Sequence, residues 1–162
     1  MTTLRTWSFV SDLAAQRAAR TLAGRAGPEL PVDDAAIISW PEDRRRPFAW
    51  QARDLGTEHR LSGAFWGLLF AQLFLLPISW EPQPASSPAR LDETLSYLGL
   101  DERFVSDVRA QVVPGTSALF VLDFDAAGEL IDHHLTDAVR RLHVVLSAEQ
   151  TSRIHAAFDD DD

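Results

Sequence analysis

No cysteine and no lysine occur among the 162 residues of the chain. Without thiols there is no disulfide framework, thiolate metal site or thiol nucleophile, which fits a cytoplasmic protein. Without lysine, arginine carries all the fixed basic charge: 15 basic residues stand against 24 acidic ones, for a formal net charge of -9. That balance argues against a nucleic-acid partner held through phosphate contacts. Catalytic signatures are missing as well. The chain has no G-x-S-x-G turn, no G-x-G-x-x-G, no phosphate loop and no H-E-x-x-H, and no Ser-His-acid set is identifiable. The opening MTTLRTWSFVSD lacks a continuous apolar core and a small-residue cleavage site, so no secretory signal is read there.

Charge itself is absent from one long stretch. The run from Leu61 to Trp80, LSGAFWGLLFAQLFLLPISW, has no charged residue inside a chain that is 24% charged. Gly63, Gly67 and Ala71 recur at i, i+4 and i+8, a stripe of small residues on which a second backbone can approach closely. Phe65, Leu68, Leu69, Phe70, Leu73, Phe74 and Leu76 occupy the other positions. A helix apolar on every side has to be buried in protein or in lipid.

Around this run the pattern is that of an ordinary α+β domain. Leu4 to Val10 reads as a strand with Trp7 and Phe9 on one face and Leu4 and Val10 on the other. Ser11 is placed to cap a helix with Ala15, Ala18, Ala19, Leu22 and Ala26 inward, ended by Gly27-Pro28. Ala35 to Trp40 and Pro47 to Asp54 form a predicted hairpin around the charged turn PEDRRR, with Ile38 and Trp40 on one face. In its second strand Phe48, Trp50 and Ala52 alternate with Ala49, Gln51 and Arg53, which predicts one packed face and one wetter face.

EPQPASSPAR then marks a linker or arm. A helix with Leu91, Leu95 and Leu98 and another with Phe104, Val105, Val108 and Val112 inward follow it. Ser117 to Phe124, SALFVLDF, is an apolar run of strand length that belongs in the sheet interior. Asp125 is placed to cap a helix with Leu130, Ile131, His134, Leu135 and Ala138 on one face. The strand Val139 to Leu146 sets Leu142, Val144 and Leu146 opposite Arg141, His143 and Val145, and Ser147 and Gln150 have capping-box spacing for a last helix.

The expected architecture is α+β: a ferredoxin-like split βαβ sheet covered on one face, with an inserted apolar helix and a helical arm. Residues 1–56 form the first part of the α+β domain and 57–80 the apolar association helix. Residues 81–113 form the linker and helical arm, 114–158 the second part of the domain, and 159–162 an acidic tail.

LSGAFWGLLF, the later PGTSALFVL and the terminal LSAEQ together resemble an uncharacterised bacterial family, the domain of unknown function number 1269. The likeness covers most of the chain. It is carried best by Gly63, Ala64, Phe65, Trp66, Gly67, Leu68 and Leu69, and again by Pro114, Gly115 and Ser117 to Leu122. The resemblance implies an α+β domain with an inserted apolar, small-residue-rich segment, from which such proteins are often labelled membrane proteins, and it implies no activity. Where a second glycine- and alanine-rich stretch is expected, this chain has EPQPASSPARLDETLSYLGL, so a helical hairpin through lipid would lack its return leg.

Three other groups of residues carry candidate chemistry. Asp123, Asp125, Glu129, Asp132, His133 and His134 offer oxygen and imidazole ligands, but without a recognised ligand spacing they are read as structural, with no metal. Trp7, Arg141 and His143 would line an uncovered sheet face able to take a small molecule. Arg44, Arg45 and Arg46, beside Glu42 and Asp43, are read as a solvated turn rather than an anion site.

The favoured expectation is a noncatalytic, cofactor-free protein that assembles with itself through Gly63, Phe65, Trp66, Gly67, Phe70, Ala71 and Phe74. Membrane anchoring by the same run is the first alternative, since about 20 apolar residues span a bilayer. Gln72 and Pro77 argue against it. A ligand-binding or enzymatic sheet face is the second.

Overall fold

The computed structural model describes residues 2–25, 32–52, 66, 70, 79–81, 102–123, 131, 133, 135, 138–149 and 152. They build an α+β fold around one six-stranded sheet. In chain order the elements are β1 (Thr2–Phe9), α1 (Ala14–Arg25), β2 (Val32–Trp40), β3 (Phe48–Gln51), β4 (Ser79–Glu81), α2 (Glu102–Gln111), β5 (Thr116–Asp123) and β6 (Arg140–Leu146). The strands lie in the order β4-β3-β2-β5-β1-β6. All neighbours pair antiparallel except β3 and β4, which run parallel. Both β1 and β2 are antiparallel to β5, which lies between them, so β1 and β2 run the same way with α1 joining them.

The centre of the sheet is β5. Ala118, Leu119, Phe120, Val121 and Leu122 are each 1% exposed or less, so successive side chains on both faces of the strand are buried. One face carries Leu4, Ile38, Phe120 and Leu122 with Phe104, Val108 and Val112 of α2 and its following residue, joined by Trp66 and Phe70. The other face carries Trp7, Phe9, Ile37, Leu119 and Val121 with Ala15, Ala19 and Leu22 of α1, joined by Ile131 and Leu135.

The expectation of a sheet covered on one face is therefore corrected. A strand with no polar alternation, such as SALFVLD, is satisfied only between two covers. The same correction applies to β3, where Ala49 is buried in the first cluster while Trp50 packs against the second.

Two further expectations change. The apolar helix does not extend to Trp80, because Ser79–Glu81 is a strand, pairing Phe48 with Ser79 and Trp50 with Glu81. Nor is α2 an arm: Phe104, Val108 and Val112 lie in the first core, and Val105 packs on it. The predicted helix with Leu91, Leu95 and Leu98 lies outside the described residues, as do most of residues 124–138 and 150–162.

Local chemistry fixes the corners. Ser11 accepts a hydrogen bond from the Leu13 N–H at 3.2 Å, which shapes the turn that leads into α1 and does not cap the helix itself. The buried Ser117 hydroxyl accepts from the Ala15 N–H at 3.0 Å and donates to the Ser11 carbonyl at 2.6 Å. One side chain of β5 thereby satisfies two backbone groups at the start of α1. Ser39 donates to the Asp12 carbonyl at 2.6 Å and holds the same corner against β2. Gly115, in the turn before β5, has φ of 91°, a left-handed conformation that glycine adopts without a Cβ penalty.

Two substitutions separate packing from polar burial. Phe120→Ala should cost about 3–5 kcal/mol in urea unfolding, because it opens a cavity beneath Phe70. The Thr6 hydroxyl is buried without a hydrogen-bond partner among the described residues. Thr6→Val should accordingly leave stability unchanged or raise it by up to about 1 kcal/mol.

Candidate functional site

Trp66 and Phe70 are both helical and one turn apart, so they share a side of the segment. Both are fully buried. Their ring centroids are 5.8 Å apart, and Phe70 meets Phe120 of β5 at 4.8 Å with the rings inclined by 63°, an edge-to-face contact. The sheet beneath is lined by small residues, Ala36 on β2, Ala49 on β3 and Ala118 on β5. Large rings from the covering segment fill the depth that those alanines leave.

Of the seven residues expected at a self-association surface, Trp66 and Phe70 are thus core residues of their own chain. For these two rings the protein cover that such a segment needs is supplied by β5 and the rest of the first core of the same chain. Gly63, Phe65, Gly67, Ala71 and Phe74 lie outside the described residues. The signal that was missed is the set of alanines at alternating positions of three strands.

The second site does not come together. Trp7 is buried in the core on the α1 side, while its cross-strand partner Arg141 is exposed on β6 and donates from Nη2 to the Leu135 carbonyl at 3.1 Å. His143 is exposed opposite Arg5. Because α1, Ile131 and Leu135 occupy that face, no uncovered aromatic surface is left at Trp7.

Of the Asp and His cluster, His133 is exposed, and Asp125, Glu129, Asp132 and His134 lie outside the described residues. Among the described residues no three acidic or histidine side chains are grouped so as to hold a metal ion.

Arg44, Arg45 and Arg46 are exposed, as expected of a turn, yet together with Phe48 they line an open surface cavity of about 240 Å3. The Arg44 guanidinium lies 5.1 Å above the Phe48 ring, a cation–π contact.

The family model for a protein of unknown function, DUF1269, matches residues 60–159, more than half of the chain. The chain belongs to the DUF1269 family. No curated protein and no solved structure matches it. The DUF1269 match includes the apolar run, α2, β5 and β6, while β1, α1, β2 and β3 precede it. Yet β5 and β6 flank β1 and pair with it rather than with each other. The DUF1269 portion of this chain therefore relies on the preceding residues to complete its sheet. Among the described residues, no helix of this DUF1269 protein is long and apolar enough to cross a membrane.

Trp66→Ala should cost about 3–5 kcal/mol of unfolding free energy. An intrachain anchor predicts a loss that does not vary with protein concentration, whereas a contact between subunits would make it vary. Urea titrations at two protein concentrations separate these outcomes.

Proposed function

We propose that this DUF1269 protein is a noncatalytic cytoplasmic protein that assembles with copies of itself through the face of the apolar segment turned away from its own sheet. The observation that carries the reading is the burial of Trp66 and Phe70 on a single side of that segment. At 3.6 residues per turn, a helix with those two rings on one side sets Leu68 opposite them. By the same spacing the sequence would place Phe65 well round from them and Gly67 and Ala71 to one side. One sheet covers one side of such a helix, and the other side is just as apolar. Burying it against a second copy removes several Leu and Phe side chains from water at about 25 cal/mol per Å2, and the small stripe permits close approach.

The folded body is of the ferredoxin-like type in this reading. Its support is the antiparallel order β2-β5-β1-β6, in which β1, α1 and β2 make a split βαβ unit around β5. Residues 41–115 are then an insertion between β2 and β5. The parallel pairing of β3 with β4 weighs against the membrane alternative. Parallel neighbours need a crossover that returns along the sheet, and residues 61–78 of the apolar run fall within that crossover. Drawing the run into lipid would remove Trp66 and Phe70 from the core and separate the two strands.

Light scattering of detergent-free protein tests the reading. The wild type should exceed its 18.0 kDa chain mass. Leu68→Glu and Gly67→Leu should each shift it toward the monomer without changing the far-ultraviolet circular dichroism. A wild type that is monomeric at every accessible concentration would overturn the proposal, and carbonate-resistant recovery in membranes would replace it with the anchored alternative.

A further inference from the structure

We propose that the loop joining β2 to β3 is an anion-binding site for a phosphate-bearing small ligand, held by Arg44, Arg45 and Arg46. The inference is independent of self-assembly and rests on three observations. The first is composition in place: three consecutive exposed arginines stand together on a chain with a net charge of -9. Like charges held side by side repel, and an anion seated among them relieves that repulsion.

The second is that the loop is held in shape. The Trp40 indole Nε1 donates to the Arg44 carbonyl at 3.0 Å, and the Arg44 N–H donates to the Pro41 carbonyl at 3.1 Å. Trp40 itself packs on the first core, and its carbonyl accepts from the Gly115 N–H ahead of β5. The Arg44 guanidinium is further steadied by the Phe48 ring. An arginine stacked in this way keeps its edge N–H groups available for oxygen ligands.

The third is the lining. Among the described residues, Arg44, Arg45, Arg46 and Phe48 form the wall of the cavity, and no carboxylate joins them. Of the two acids in the loop, Glu42 lies beside Gly115 and Asp43 is exposed, and neither lines the cavity. A volume of about 240 Å3 suits a phosphate group with a small body and falls below the roughly 300–1,000 Å3 of a drug-sized site. Guanidinium forks match the oxygens of a phosphate dianion better than a single carboxylate, which would leave part of the positive charge unanswered.

Titration calorimetry of the full-length chain with inorganic pyrophosphate tests the site. Wild type should bind with saturation at one ligand per chain, and still do so at about 0.15 M salt, where screening removes diffuse attraction. Arg45→Gln with Arg46→Gln should weaken binding by at least about tenfold. Arg17→Gln with Arg20→Gln, which removes the same charge from the exposed side of α1, should leave it unchanged. Phe48→Leu alters no charge, so weaker binding by that variant at an unchanged melting temperature would support the positioning of Arg44.

Absence of saturable binding, or equal weakening by the loop and α1 variants, would overturn the proposal. Vesicles of phosphatidylcholine containing phosphatidic acid distinguish the source of the phosphate. Sedimentation with them that pyrophosphate reverses assigns a lipid headgroup, and pyrophosphate binding without sedimentation assigns a soluble ligand.

Discussion

The two-sided burial of β5 is the constraint on which the rest of the fold depends. Five consecutive side chains from Ala118 to Leu122 are withdrawn from water, alternately to either face. Each face then needs its own cover, and the chain provides them from different regions. One cover comes from α1 with Ile131 and Leu135, and the other from α2 with Trp66 and Phe70. The charge-free run from Leu61 to Trp80 thus has at least part of its explanation inside the domain. It supplies two of the largest fully buried side chains among the described residues.

Much of this was legible in periodicity. Trp7 and Phe9 do share a face apart from Leu4, and Ile38 shares one with Trp40. Phe104, Val105, Val108 and Val112 turn to the core together, as do Leu142, Val144 and Leu146. These positions obey local rules, since alternation or helical spacing decides which way each side chain points. The second cover was not legible, because it depends on a contact between Phe70 and Phe120 that local spacing does not encode. Ala49 shows the same limit from the other direction. Beside Gln51 and Arg53 it reads as a wet position, yet it is buried under the first core.

Function was less legible than fold, for a related reason. Trp7, Arg141 and His143 follow the alternation that placed them, but the helical cover on the α1 side fills the space a ligand would need. Arg44, Arg45 and Arg46 read as a solvated turn, and they are exposed as that reading requires. What the sequence pattern does not carry is the fastening of the loop by Trp40 and the turning of Glu42 toward Gly115, both products of tertiary proximity. Membership in DUF1269 adds no chemistry to these residues, and Arg44 to Arg46 precede the matched part of the chain.

The position of β1 has a consequence for how the molecule comes into being. Among the described strands it is the first to be synthesised, yet its two neighbours in the sheet are the last two of them, with Thr3 opposite both Asp123 and Val145. At about 5–20 residues per second, β1 waits several seconds or more for a partner. During that interval Trp7 and Phe9 have α1 to lie against, while both hydrogen-bonding edges of the strand stay open. The sheet therefore closes late and through contacts distant in sequence, which slows folding. Any nascent or truncated chain ending before β5 presents a bare strand of eight residues to whatever strand is nearest, a hazard that the finished fold removes by placing β1 between two neighbours.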